Sequence, residues 1–599
     1  MHAGRNTLVA GREKYYCSAT HVPTEPTTPR LNNRTRPSYA SGVGLTSLLS
    51  SCIGETLDAT AHAWPELLAL ISCHQNQRFT YAQLHAETER FALGLLRLGV
   101  RKGDRVGIWA TNCSEWVITQ FATAKVGALL VNLNPAYRAY ELKYALAQSE
   151  CQTLIMVPQF NKANFVSIFF ETCPEAENSK PGALSSQELP HLKNLILIGE
   201  TIPESFFGWS QIAAMGDASS HAELRKRAAD LSCDDPINIQ YTSGTTGRPK
   251  GAVLSHHNIV NNALLVTDSM RMTAAERICI PVPFYHCFGM VMGNMGAVVK
   301  GCTMVIPAEH FDPLKTLEAV SGEKCNALYG VPAMFRAMLE HLDFPGFDFS
   351  SLRTGIMAGS SCPIHLMKQV VTEMHCSGIT IAYGQTESSP VITQTTTDDS
   401  VELRVSTIGR ALPHTEVKII DPTTGKIVPR GEQGELCARG YCVMKGYYNN
   451  GEATRKAIDA DDWLHTGDLA VMREDGYWRI VGRMKDMIIR GGENIYPREV
   501  EEFLYTCPGI SEVQIVGIPS AKYGEEVAAW IKPQTGVKLS AEEIQSFCKG
   551  KIAAFKVPRY IKIVDAFPMT VTGKVQKFRM REAMIEELGL HNSASIETA

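Results

Sequence analysis

No stretch of the 599-residue chain reaches the roughly 18 apolar residues that span a bilayer. The nearest candidates are broken by Lys125 and Lys300, so no transmembrane segment is expected. Charge of one sign is also missing. The 58 Lys and Arg stand against 62 Asp and Glu, a net charge of −4. That balance argues against nucleic acid or a polybasic membrane surface as the main partner, while leaving room for a local anion site. The 17 cysteines contain no C-x-x-C pair, and Cys437 and Cys442 form a lone C-x4-C without a second half. Zinc is therefore not expected, and buried reduced thiols are. A Walker-type G-x-x-x-x-G-K-[ST] loop, a G-x-S-x-G elbow and any fixed-period repeat are absent too. The first two absences exclude P-loop phosphate binding and a serine nucleophile of the elbow type.

What is present is a long alternation of helix and strand signals. An apolar-periodic helix is expected at about 81–98, closed by Gly99, then a strand at 105–109, a helix near 114–126 and a strand near 128–132. Further strands are expected at 153–157, 194–198, 237–241 and 303–306. This rhythm reads as α/β with largely parallel sheets. Residues 409–482 carry many short strands with Gly turns, a β-rich subdomain. After them the order is helix 497–505, strand 512–518, strand 525–532, helix 540–550, strand 560–564. The fold class expected is a large N-terminal α/β body of stacked sheets (residues 45–482) plus a small α+β C-terminal domain (483–599) of ordinary domain size. Residues 1–44 differ from both. They hold Arg5, Arg12, Lys14, Arg30, Arg34 and Arg36 against Glu13 and Glu25 only. A basic, acid-poor start of this kind is compatible with an organelle-targeting segment.

The sharpest local signal is Thr242-Ser243-Gly244-Thr245-Thr246-Gly247-Arg248-Pro249-Lys250-Gly251 between two apolar segments. The glycines permit close backbone approach to a ligand. Hydroxyls and free N–H groups can surround an anion, and Lys250 adds a mobile positive charge. By composition this is a phosphate-gripping loop.

That loop resembles the phosphate loop of the adenylate-forming superfamily, which includes acyl-CoA synthetases, luciferases and adenylation domains. Other segments resemble the family's motifs in order: Tyr383-Gly384-Gln385-Thr386-Glu387; Trp463-Leu464-His465-Thr466-Gly467-Asp468; Gly482-Arg483-Met484-Lys485-Asp486; Arg490-Gly491-Gly492-Glu493-Asn494-Ile495-Tyr496-Pro497; and Thr572-Gly573-Lys574. Within the family, residues 233–262 and 482–497 look most like the mitochondrial medium-chain acyl-CoA synthetases.

The resemblance implies ligation of a fatty acid to CoA through an acyl-adenylate, with ATP and Mg²⁺ and a C-terminal domain that moves between the two steps. It implies that Thr242, Ser243, Gly244, Thr245, Thr246, Gly247 and Lys250 hold the β- and γ-phosphates. Thr386 would bond the α-phosphate and Glu387 would bind Mg²⁺. Gly359 and Ser360, with Tyr383 and Gly384, would line the adenine and acyl wall; Ser361 stands where proline is more usual. Asp468 would take the ribose hydroxyls, with Arg483 assisting. Lys574 would be the catalytic lysine of adenylation, and Gly491 and Gly492 would line the pantetheine tunnel. His286, inside the apolar Pro283–Gly289 segment, would stand at the carboxylate end of the acyl tunnel with Gly330-Val331-Pro332. The implied location is mitochondrial. An adenylating enzyme with a different acceptor, or a non-catalytic nucleotide or acyl binder, are the alternatives.

Overall fold

The computed structural model describes residues 36–44, 46–216, 218–242, 249–360, 362–491, 493–520, 522–570 and 574–590. Residues 1–35 of the expected targeting segment, and the site residues Ser243, Gly244, Thr245, Thr246, Gly247, Ser361, Gly492, Thr572 and Gly573, lie outside the described residues, whereas 36–44 are described and include the strand Tyr39–Ser41.

Local chemistry sets the elements. The Tyr81–Arg97 helix starts at Thr80, whose hydroxyl accepts from the Gln83 N–H (3.2 Å) while the Gln83 side chain accepts from the Thr80 N–H (2.8 Å). Two otherwise orphaned donors are thereby satisfied. Its buried face carries Tyr81, Leu84, Phe91 and Leu95. The Ser114–Val126 helix is buried on almost every side and ends at Gly127, φ +79°, a left-handed cap that suits glycine.

Two large sheets form the body. An eight-stranded sheet runs in the order Phe207–Gly208, Asn194–Leu197, Thr153–Met156, Arg105–Trp109, Leu129–Asn132, Pro236–Thr242, Lys250–Ser255, Gly446–Tyr447. It is parallel until Pro236–Thr242, then antiparallel. A nine-stranded sheet is parallel through Gly378–Gly384, Thr354–Ala358, Ala327–Gly330, Arg277–Cys279, Thr303–Ile306 and Leu68–Ser72. Between and around the sheets lie fully buried Trp109, Trp116, Phe121, Phe284 and Tyr329. Each such side chain contributes about 1.5–3 kcal/mol by leaving water. A third sheet, of five strands, is antiparallel and joins Tyr39–Ser41 to four strands between Thr415 and Arg483. The expected β-rich stretch is this sheet.

Past Arg483 a short 3-10 turn, Met484–Asp486, leads to a separate five-stranded sheet built only from residues 488–563. It has its own core of Ile488, Val500, Leu504, Ile515, Val527, Ile531 and Ile544. Pro497 starts the Pro497–Leu504 helix at its first position, where a missing N–H costs nothing. The sixteen described cysteines are free thiols, fourteen of them buried. No helix among the described residues is long and apolar enough to cross a membrane.

Candidate active site

Most of the singled-out residues stand at strand ends on one side of the body. Thr242 closes the Pro236–Thr242 strand, Gly384 closes Gly378–Gly384, and Gly359 and Ser360 follow Thr354–Ala358. Loops beyond the carboxyl ends of parallel strands are where open α/β sheets gather ligands. Gly359 has φ +87°, a left-handed conformation. At Gly384 the constraint is spatial: a Cβ there would lie 1.8 Å from the Pro390 carbonyl oxygen.

Thr386 and Glu387 are buried in the turn after Gly384. Glu387 Oε1 accepts from the Tyr447 hydroxyl at 2.7 Å and from the Thr242 hydroxyl at 3.4 Å. Among the described residues its Oε2 makes no hydrogen bond. The Lys250 ammonium sits 5.0 Å from the centroid of the Tyr447 ring. Strand pairing explains the meeting: Lys250–Ser255 runs antiparallel to Gly446–Tyr447, with Ala252 opposite Tyr447. Tyr447 was not picked out by sequence. An aromatic after glycine at the end of a short strand carries no motif signal, and only the resemblance-bearing neighbours could have drawn attention to it.

Asp468 and Arg483 are direct partners across two antiparallel strands. Arg483 Nε lies 3.1 Å from Asp468 Oδ1, and the Tyr383 hydroxyl donates to Asp468 Oδ2 at 2.7 Å. Burial raises the Asp468 carboxyl above its ordinary value against the opposing pull of Arg483 and Tyr383. The turn that presents Asp468 is tied down separately. The Thr466 hydroxyl donates to Leu436 O (2.7 Å) and accepts from the Asp468 N–H (3.1 Å), and Glu435 Oε1 accepts from the Gly467 N–H (3.1 Å).

Glu435 also holds His465. Its Oε2 lies 2.9 Å from His465 Nδ1, with Cys437 Sγ at 3.7 Å from the same nitrogen and Asp459 Oδ2 at 3.4 Å from Nε2. The Cys437 thiol and the Glu435 carboxylate push the His465 imidazole up to about 10. Cys437 therefore contacts His465 rather than Cys442, whose sulfur lies by the Thr415 hydroxyl. The three ligand-type atoms lie within 4.8 Å of one another. The imidazolium has a carboxylate at each nitrogen.

Lys574 comes from the C-terminal domain. Its N–H donates to the Thr570 hydroxyl (3.0 Å), and the Thr570 N–H donates to its carbonyl (2.7 Å), closing a tight turn ahead of the Lys577–Glu587 helix. Its ammonium is close enough to Arg483, Cys287, Glu387 and Asp468 to feel their charges, and it has no ion pair among the described residues. Burial first, then Arg483, hold it below the ordinary lysine value. His286 faces the same point. Burial, then Lys574, depress its imidazole to about 3, and its Nδ1 accepts from the Phe288 N–H at 3.2 Å. Cys287, beside it, lies 3.6 Å from the Thr386 hydroxyl and is pushed up to about 11 by burial, so it is a neutral thiol rather than a nucleophile. The following Phe288–Met295 turn is π-helical, a rare geometry found often at functional sites. Gly491, φ +61°, lies in the turn between two strands of the C-terminal sheet. The arrangement gathers two buried carboxylates, Glu387 and Asp468, and the Thr242 and Thr386 hydroxyls with three cations: Arg483, paired with Asp468, and Lys250 and Lys574, which have no ion pair among the described residues. It can grip a polyanion and gather charge around one reacting centre.

The family model described as AMP-binding enzyme matches residues 57–448, and that of the AMP-binding enzyme C-terminal domain matches residues 499–574. The chain is 52% identical over 549 residues to YngI of Bacillus subtilis (strain 168), covering 92% of this chain and all of that protein. It is 46% identical to the Bos taurus protein named medium-chain acyl-CoA ligase ACSF2, mitochondrial, covering 92% of this chain and 91% of that one. Among solved structures, ATP-bound MatB from Rhodopseudomonas palustris superposes with a TM-score of 0.77 at 27% identity, covering 90% of this chain and 100% of that one. The anthranilate CoA ligase AuaEII with anthranoyl-AMP superposes at 0.79 and 26% identity, covering 89% and 97%.

Proposed function

This chain belongs to the AMP-binding enzyme family in its body and in its C-terminal domain, and from that premise we propose that it is a medium-chain fatty acid–CoA ligase, forming acyl-CoA, AMP and pyrophosphate through an acyl-adenylate. One observation carries the reading: Lys574, delivered by the C-terminal domain, is buried within electrostatic reach of Arg483, Glu387 and Asp468 of the body and has no ion pair among the described residues.

The attacking carboxylate is already ionised, so the task is to bring two anions together. Lys574 would touch both the carboxylate and the α-phosphate, offsetting their repulsion as the new bond forms. Burial and Arg483 hold Lys574 below its ordinary value, and approaching anions would oppose that shift and favour the ammonium. Thr386 would bond the α-phosphate; Thr242, Lys250 and residues 243–247 would hold the outer phosphates. Asp468 would accept from the ribose hydroxyls, with Arg483 and Tyr383 fixing the carboxylate. Gly359, Ser360 and Gly384 would frame the base. His286, neutral at any working pH, would face the carboxylate without adding a competing cation. The donor set suits Mg²⁺, since Glu387 Oε2 is a hard oxygen with no partner among the described residues. The chemistry that Mg²⁺ would supply there, held by Glu387, is positive charge offsetting that of the phosphates.

In the second step the C-terminal domain would rotate about Lys485 or Asp486, exchanging Lys574 for Gly491 and Gly492 beside the pantetheine arm. The CoA thiol then attacks the acyl carbonyl and AMP leaves. Medium chain length is supported by the ACSF2 relatives, and so is a mitochondrial location, together with the basic, acid-poor residues 1–44.

The test is incubation of the purified full chain with ATP, Mg²⁺, CoA and a series of fatty acids, with mass detection. Acyl-CoA and AMP in equal amounts, greatest for medium chains, are expected. No AMP with any fatty acid contradicts the reading, and AMP without acyl-CoA points to another acceptor. A reporter fused to residues 1–44 is expected in mitochondria; diffuse signal contradicts that part.

A further inference from the structure

Away from the reacting atoms, a second junction joins the body to the C-terminal domain. Arg336 lies on the Pro332–Leu339 helix of the body. Its Nη1 donates to the Ser511 carbonyl at 2.6 Å, lies 3.1 Å from the Ser511 hydroxyl, and stands 3.5 Å from Glu512 Oε1. The pair is well covered, with side-chain exposures of 11% for Arg336 and 16% for Glu512. Beside it the rings of His365 on the body and Tyr505 on the C-terminal domain lie 5.5 Å apart.

The strand supplying these acceptors is irregular at that point. Ile510 pairs with Pro533 and Glu512 with Lys532, leaving Ser511 without a ladder partner. A bulge of this kind re-aims the backbone, and a buried carbonyl out of the ladder needs another donor. Arg336 is that donor. Glu512 has a second cation, Lys532 at 3.1 Å, within its own domain. When the domains part, Glu512 keeps a partner while Arg336 and the Ser511 carbonyl return to water. Neither side is left with a buried, unpaired charge, so the junction is strong when closed and cheap to release.

We infer that Arg336 is a positioning residue: it docks the C-terminal domain, through Ser511 and Glu512, in the pose that delivers Lys574, and its release precedes thioester formation. This rests on the two-step reading above. It goes beyond that reading by naming the contact between the domains that biases one half-reaction over the other.

The test separates the two half-reactions in the full chain. Fatty-acid-dependent ATP–pyrophosphate exchange reports adenylation; conversion of supplied acyl-adenylate with CoA reports the second step. Hydrogen bonds to charged groups are worth enough that Arg336→Met should slow exchange by about tenfold or more. Conversion of supplied acyl-adenylate should stay within about twofold, or rise, because that step does not need the docked pose. Arg336→Lys, which keeps the charge but fewer donors, should restore part of the exchange rate. Should Arg336→Met fail to fold, Arg336→Lys and Glu512→Gln carry the test, with the same split expected at about threefold. Exchange unchanged in a folded variant, or both half-reactions falling in proportion, overturns the inference. Wild-type protein without exchange for any fatty acid overturns the parent reading instead.

Discussion

The Tyr447 hydroxyl donates to Glu387 Oε1 at 2.7 Å while the face of the same ring lies under the Lys250 ammonium. One side chain thus links the carboxylate proposed to hold Mg²⁺ to the lysine proposed to hold the outer phosphates. Tyr447→Phe keeps the ring and removes the bond. Losing a hydrogen bond to a charged acceptor costs about 1.5–3 kcal/mol, or roughly 10–100-fold. Adenylation should fall within that range and the Mg²⁺ concentration for half-maximal rate should rise. An unchanged Mg²⁺ dependence with an unchanged rate contradicts the link.

Gly384 owes its identity to space rather than to backbone angle. A Cβ would meet the Pro390 carbonyl oxygen at 1.8 Å, and backbone does not move aside as a side chain does. Gly384→Ala should destabilise the body by about 1–3 kcal/mol and lower its thermal midpoint. A midpoint equal to wild type by calorimetry would mean that the 384–390 turn yields freely.

His465 makes stability depend on pH. Its ordinary value is 6.5 and Cys437 and Glu435 push it up to about 10. A raised folded-state value means that the imidazolium contribution is fully present below pH 6.5 and is lost as pH rises through about 10. The stability difference between wild type and His465→Gln should therefore be largest near the lower limit and shrink toward the upper one. Denaturant midpoints measured across that interval check it, and a flat difference contradicts the charge assignment.

Much of this architecture can be read from local pattern. The helix now seen at Tyr81–Arg97 and the strand at Arg105–Trp109 announce themselves by periodicity, and Thr80 and Gly99 mark the helix ends. Asp468 and Arg483 are legible as two separate motifs; that they face each other across a ladder is visible only in the sheet register. Tyr447 and Arg336 are not legible at all. Their partners lie 60 and 175 residues away along the chain. A tyrosine after glycine reads as an ordinary strand residue, and an arginine on an amphipathic helix reads as a solvated charge. Long-range pairing decides both, and local propensity does not encode it.

Lys574→Ala is the most direct test of the account. The ammonium approaches Glu387 and Asp468 from a separate domain and has no ion pair among the described residues. Loss of one aimed charge at a reacting centre costs about 10²–10³-fold. ATP–pyrophosphate exchange driven by a medium-chain fatty acid should fall by at least that much, while conversion of supplied acyl-adenylate to acyl-CoA continues at close to the wild-type rate. Exchange at the wild-type rate would contradict the account.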